Sequence, residues 1–263
     1  MEKYTGSAII TGACGGIGTA ISNRFASAGI ALGLCDVRTD DLDRLAGSLA
    51  KQGAKIHHHP IDVTDPDAVR GFCETAAQAL GGIQHLVNTV GVVDNTGDVV
   101  DLPLKVWEET LAVNLTSAFL MAKYAVPHII ANGGGSIVNI SSISGLANQA
   151  GAMVYSVTKA GLISLTKSQA IDLARYKIRA NAICPGSVET PLVDQAIALT
   201  AEASGRTLEQ TREDWESQYP TGRFSAPQDV AELALFLCSS RASNITGSSM
   251  VVDGGLMALL PER

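Results

Sequence analysis

Tyr155 and Lys159 stand four residues apart in the stretch VYSVTKAG, which is otherwise small and largely apolar. On a helix, positions i and i+4 lie one above the other, so the phenol and the ammonium would look into the same space. A free phenol has a pKa of about 10, too high for efficient proton abstraction at neutral pH. A cation beside it favours the phenolate and draws that value down. The same pair also fits a half-buried tyrosine next to a lysine whose stem lies along apolar surface. Their spacing alone does not separate the two readings.

A second group of residues has the makings of a phosphate site. The run IITGACGGIGTAI places Gly12, Gly15, Gly16 and Gly18 directly after an apolar run and at the start of a helical pattern. Glycine permits a tight turn and lets main-chain N–H groups approach a pyrophosphate, while the helix N-terminus adds partial positive charge. Gly12, Gly16 and Gly18 fit GxxxGxG, and Gly12, Gly15 and Gly18 fit GxxGxxG. Asp36 closes the next apolar run, roughly 20 residues beyond the glycines, where an acid can accept hydrogen bonds from the adenosine ribose. The same carboxylate would repel a 2′-phosphate, so NAD is expected over NADP. Arg38, two residues on, is the group that could oppose this by meeting a phosphate. Asp62 and Val63, ending the third run, would lie beside the adenine ring.

These residues need a frame. Short β-rich apolar runs at 7–11, 30–36, 54–62, 85–90, 136–141, 178–184 and 249–253 alternate with helical patterns near 16–28, 39–51, 65–80, 104–131, 155–175 and 227–239. Strands covered on both faces read as continuous apolar runs, and alternation with helices implies parallel pairing through right-handed crossovers. The expectation is α/β: a doubly wound, Rossmann-type, mostly seven-stranded parallel sheet with helices on both faces. The unbroken rhythm over 1–263 reads as one domain. The polar stretch 191–226, which holds a weak helical pattern, departs from it and is expected to be a substrate lid.

Composition excludes several classes. Hydrophobic residues make up 46% and charged residues 17%, which describes a well-covered globular protein. Net charge is −7 without a basic block, so neither nucleic acid nor an anionic membrane is an expected partner. No apolar run has membrane-spanning length, and the first residues lead directly into a strand pattern, so a cytoplasmic protein is expected. The five scattered cysteines read as reduced and buried. His57, His58 and His59 form a tract, but consecutive strand residues alternate between faces and cannot converge on one ion. No metal is expected, and the absence of a GxSxG elbow argues against a serine hydrolase.

Taken in order, TGACGGIG (11–18), Asp62-Val63, NTVG (88–91), Asn114 in LAVNLTSAF, Ser142 in IVNISSISG, YSVTK (155–159), NAICPG (181–186) and VVDGG (251–255) resemble the motifs of the short-chain dehydrogenase/reductase family, small single-domain branch. The resemblance covers nearly the whole chain. It implies that Tyr155 is the general acid/base and Lys159 its partner, with Ser142 bonding the substrate oxygen and Asn114 holding a water behind the lysine. Because Asn114 sits inside a helical pattern, a local break in that helix is expected. For the cofactor the resemblance implies Gly12, Gly16, Ile17, Gly18, Asp36, Asp62, Val63, Asn88, Gly91, Tyr155, Lys159, Pro185, Val188 and Thr190. Substrate contacts would come from Ser144, Gln149 and Ser187, with Val93 and Asn95 across the cleft. That mixed lining favours a hydroxylated or cyclic polar alcohol, or its ketone. The chain departs from the family at Thr89 and Val90, where NNAG is usual, which bears on nicotinamide seating. Family members are commonly tetramers or dimers, so a homo-oligomer is expected, with a tetramer favoured. The alternative function is a non-catalytic dinucleotide-binding sensor or scaffold, against which the intact Ser–Tyr–Lys–Asn set speaks.

Overall fold

The computed structural model describes residues 6–93 and 97–260. Seven strands, β1 (Ser7–Thr11), β2 (Ala31–Asp36), β3 (Ile56–Pro60), β4 (His85–Asn88), β5 (Gly135–Ile140), β6 (Ile178–Pro185) and β7 (Ser249–Val252), form one sheet in the order β3-β2-β1-β4-β5-β6-β7. Every pairing is parallel. The chain winds outward in one direction from β1 and returns in the other from β4. The carboxyl ends of these two neighbours therefore form the switch point at which such sheets bind ligands.

Strand residues alternate between two cores, as the pleat requires. Ala8 and Ile10 of β1 join one cluster with Ile21 and Phe25 of α1 (Gly16–Ser27), Leu42 and Leu49 of α2 (Thr39–Lys51), and Val230, Ala234 and Leu235 of a helix at Pro227–Cys238. Ile9 points the other way, into a cluster with Val69 and Phe72 of α3 (Pro66–Leu80) and helical Met121 and Ala125. The α3 boundaries follow local chemistry. Asp65 accepts from the N–H groups of Asp67 and Ala68, Pro66 occupies the first turn, and Gly81 closes the helix in the left-handed conformation.

The helix expected over 104–131 is broken where Asn114 lies. Helix α4 (Leu104–Leu111) passes into a π-helical turn, Ala112–Thr116, before α5 (Ser117–Ala131). Such turns shift side chains out of the α-helical register and occur often at functional sites. Helix α6 (Met153–Leu173) carries Tyr155 and Lys159.

The stretch 191–226 is more ordered in pattern than its polar composition implied. It holds two helices, α7 (Pro191–Ser204) and α8 (Leu208–Glu216), and leads into α9 (Pro227–Cys238). Local signals account for both. Pro191 opens α7, Gly205 ends it at φ 68°, and Thr207 with Gln210 forms a reciprocal capping box for α8. A small core of Ile197, Tyr219 and Phe224 lies beneath them.

At the opposite end of the sheet, buried His85 of β4 meets Ser136 of β5, Nδ1 to Oγ, at 2.8 Å. Burial, with a lesser push from Arg179, brings its imidazole down to about 4 from an ordinary 6.5. The unfolded chain therefore takes up a proton that the folded one refuses, so stability falls as pH drops from about 6.5 towards 4. The loss attributable to His85 should approach roughly 3 kcal/mol. Urea unfolding of the wild type and His85→Gln at both ends of that window measures it. Parallel pH slopes would mean that His85 contributes nothing.

Candidate active site

The phosphate turn decides between the two glycine spacings. Gly12 is left-handed at φ 59°, and a Cβ on Gly18 would strike the carbonyl oxygen of Gly12. A Cβ on Gly16 would meet the Thr190 side chain, whereas one on Gly15 would approach only the Gly12 oxygen, at 3.3 Å. Gly15 has extended backbone and merely precedes α1. The required glycines are Gly12, Gly16 and Gly18, the GxxxGxG pattern. Ile17 turns into the first core.

Asp36 is buried at the end of β2 and remains ionised. Although burial opposes it, bonds from Arg38 and from the N–H of Cys14 hold its carboxyl below the usual range. The Cys14 N–H donates to Oδ2 at 3.0 Å, and Arg38 donates from its main-chain N–H at 3.1 Å and from Nε at 3.2 Å, both to Oδ1. A shallow cleft of about 340 Å³, lined by Cys14, Thr19, Asp41, Arg44 and Leu45, flanks this corner. Asp62 is exposed, and its Oδ1 accepts from the Thr64 N–H and hydroxyl at 2.8 and 2.7 Å. Val63 beside it is buried.

The unusual Thr89 has a structural task. Its hydroxyl donates to the Thr11 carbonyl, and its N–H donates to Thr11 Oγ1 at 3.2 Å, tying the exits of β1 and β4 together. Val90 packs against the second core. Asn88 donates from Nδ2 to Asn139 at 2.9 Å, and its Oδ1 is buried without a hydrogen-bond partner.

Asn114, Ser142, Tyr155 and Lys159 converge from three elements: the π-turn, the turn after β5, and α6. Asn114 Oδ1 accepts from the Val92 N–H at 2.8 Å, while Nδ2 donates to the Val92 carbonyl at 2.9 Å and to Thr158 Oγ1 at 3.2 Å. The π-turn thus fastens α4 and α5 to the segment that follows β4, behind the lysine. Lys159 is buried and donates from Nζ to the Ile140 carbonyl at 3.1 Å; Nζ also lies 5.6 Å from the Tyr155 ring centre. Gly91 lies close by: a Cβ there would stand 3.0 Å from Nζ, so the ammonium would have to give by a few tenths of an ångström. Ser142 follows β5, and its hydroxyl accepts from the Ser144 N–H at 3.0 Å.

The electrostatics correct one expectation. Burial pushes the Tyr155 phenol above its ordinary value, and the hydrogen bond with Ser142 only partly offsets this. Burial also lowers Lys159, to about 8. Desolvation penalises both charged forms, so in the cofactor-free protein the lysine does not draw the phenol down.

Two glycines mark close contacts around this centre. A Cβ on Gly145 would stand 2.6 and 2.7 Å from the Lys159 carbonyl carbon and oxygen, so the Ser142 turn packs on α6 through bare backbone. Sequence reasoning overlooked Gly145, although SSISG displays it directly after the serines. Across the site, Pro185 ends β6, Val188 is buried, and the Thr190 hydroxyl donates to the Val188 carbonyl at 3.1 Å. Gly186 lies between, where a Cβ would meet Asp253 and Tyr219, each at 3.1 Å.

The expected substrate contacts divide. Ser144 is half-buried beside Ser142, whereas Gln149 and Val93 are exposed. Ser187 is already bonded to Tyr219, and Asn95 lies outside the described residues. In the histidine tract His57 and His59 line one cleft, while His58 points away to Asp43 at 3.0 Å.

The chain is similar to known proteins over nearly its whole length. The family model described as Enoyl-(Acyl carrier protein) reductase matches residues 12–257. The uncharacterized oxidoreductase YxbG of Bacillus subtilis (strain 168) is 38% identical, over 98% of this chain and 92% of its own. The ligand-free aldohexose dehydrogenase of Thermoplasma acidophilum is 34% identical with a TM-score of 0.88, covering 98% of this chain and 96% of that one. L-sorbose reductase from Gluconobacter frateurii, solved with NADPH and L-sorbose, is 30% identical with a TM-score of 0.91, covering 97% of each. The chain belongs to the short-chain dehydrogenase/reductase family, oxidoreductases that act on CH–OH groups.

Proposed function

We propose that the protein is an NAD-dependent dehydrogenase that moves a hydride between a secondary alcohol carbon, or the corresponding ketone, and nicotinamide. The convergence of Ser142, Tyr155 and Lys159 beside the β1–β4 switch point carries this reading. The cofactor, when bound, supplies the hydride acceptor. Gly12, Gly16 and Gly18 give its phosphates room at the start of α1, and Asp36 takes the adenosine ribose, with Asp62 and Val63 beside the adenine. Val188 and Thr190 would hold the other end, near Asn88 and Gly91.

Tyr155 takes the alcohol proton at its phenolic oxygen. Ser142 bonds the same substrate oxygen and stabilises charge that develops there. Lys159, held by the Ile140 carbonyl, keeps a cation beneath the phenol and can reach the ribose hydroxyls. An oxidised nicotinamide would add positive charge, which supplies the downward pull on the phenol that the lysine alone does not. Asn114 fixes the segment after β4 behind Lys159 and is placed to order a water leading away from it.

The substrate we favour is a hydroxylated or cyclic polar alcohol. Ser144 at the inner edge and Gln149 at the rim give the site polar contacts. Aldohexose dehydrogenase and L-sorbose reductase, both similar in fold and sequence, are named for substrates of that kind. Helices α7 and α8 would close over it as a lid on a single domain. A homo-oligomer, with a tetramer favoured, is the assembly we propose, and exposed Phe119 on α5 and Val157 on α6 are residues that an interface could cover. Among the described residues no helix is long and apolar enough to cross a membrane, and a cytoplasmic enzyme acting on a small molecule fits.

NAD is preferred because Asp36 is ionised and faces the ribose corner. It would bond the 2′-hydroxyl of NAD and meet the 2′-phosphate of NADP as a like charge, which costs several kcal/mol across an interface. Arg38 cannot compensate while its guanidinium is held by that same carboxylate. The preference in kcat/KM should be at least about tenfold, measured with both cofactors on one substrate. Asp36→Ala should narrow it, mainly by weakening NAD. Equal wild-type rates would overturn the NAD assignment, though not the hydride-transfer chemistry.

A further inference from the structure

The loop after β6 is held by a residue outside the chemistry. Tyr219 lies in the turn after α8 and is buried. Its hydroxyl donates to Ser187 Oγ at 2.8 Å and accepts from the Ser187 N–H at 3.0 Å. The ring stands edge-on to buried Phe224, with centroids 5.5 Å apart and planes at 85°. The main chain extends the clamp: the Ser225 N–H donates to the Ser187 carbonyl at 3.0 Å, and the Glu189 N–H to the Ser225 carbonyl at 2.9 Å. One phenol therefore uses both its donor and its acceptor on a single loop residue, in a packed setting where its own position is fixed.

We propose that Tyr219 is a positioning residue for cofactor binding. By fixing Ser187, it sets the place from which Val188 and Thr190 meet the nicotinamide end. Gly186, next to Ser187, adds no side chain to brace the start of the loop, and small displacements of a binding group are costly. In this clamp Ser187 serves as a tether, its hydroxyl oxygen accepting from Tyr219 and its N–H donating to the same phenol. The inference rests on the reading that residues 188–190 face the nicotinamide.

Tyr219→Phe keeps the ring against Phe224 and removes both bonds. Titration calorimetry on the full chain should compare NADH with ADP-ribose, which lacks the nicotinamide. The expected result is unchanged ADP-ribose affinity and about tenfold weaker NADH binding, the scale of one or two lost hydrogen bonds. Unchanged NADH affinity would overturn the proposal, and so would equal weakening of both ligands, which would mark a general loosening. A wild type that binds NADH no more tightly than ADP-ribose would instead remove the reading of the 188–190 loop. Ser187→Ala should also weaken NADH selectively. If it raises only the KM for the alcohol, Ser187 is a substrate contact and the tether is wrong.

Discussion

Tyr155→Phe is expected to lower kcat by about 10²–10⁴-fold, the range typical of lost acid–base catalysis, while NADH binding changes little. The substitution removes only the phenolic oxygen. The ring stays beneath the Lys159 ammonium, and Nζ keeps its bond to the Ile140 carbonyl, so the lysine remains placed for the ribose. Ser142 loses a hydrogen-bond partner but retains the Ser144 N–H, which holds the hydroxyl near its position. Binding and turnover should therefore separate. A variant that kept more than a tenth of wild-type kcat would show that another group moves the proton.

Gly145→Ala should have the second largest effect, by a different route. Its new methyl would press on the main-chain carbonyl of Lys159, and a helix backbone cannot turn aside as a flexible side chain can. The Ile143–Gly145 turn must move instead, taking Ser142 with it, because the Ser142 hydroxyl caps that turn. A displacement of about 1 Å at a substrate-orienting group can cost about 10²-fold in rate. The phosphate turn and Asp36 lie on other elements, so ADP-ribose affinity should persist. Steady-state rates combined with ADP-ribose binding check this. Near-normal kcat in Gly145→Ala would mean that the turn tolerates the shift and that Ser142 needs no such exact seat.

Much of this arrangement was legible from residue order. Each strand run appeared with its bounds nearly right, the central ones because strands covered on both faces leave an uninterrupted apolar signal. The half-exposed edge strand β3, IHHHP, lacks that signal. The break at Asn114 was foreseeable as well, from the family resemblance that picks out this asparagine within a helical pattern. Three features were hidden for separate reasons. The helices of 191–226 lie in a polar stretch where periodicity is weak, and the signals that specify them, Pro191, Gly205 and the Thr207–Gln210 box, are local end signals. The choice between Gly15 and Gly16 depends on Thr190, some 170 residues away in the chain, and no local pattern contains it. Tyr219 touches Ser187 across 32 positions, a tertiary contact without periodicity. The phenol's acidity was misjudged because proximity in sequence shows a charge partner but not the desolvation that outweighs it.

The central claim is hydride transfer with proton transfer at Tyr155. The most direct measurement follows the absorbance of reduced nicotinamide when wild-type protein meets NAD and a panel of cyclic diols, sugars and small hydroxy-acids. Sustained NADH formation is expected with at least one hydroxylated or cyclic secondary alcohol, and loss of that signal in Tyr155→Phe under conditions where NADH still binds. Tight NADH binding without turnover of any panel member, in either direction, would contradict it and identify a dinucleotide-binding protein instead.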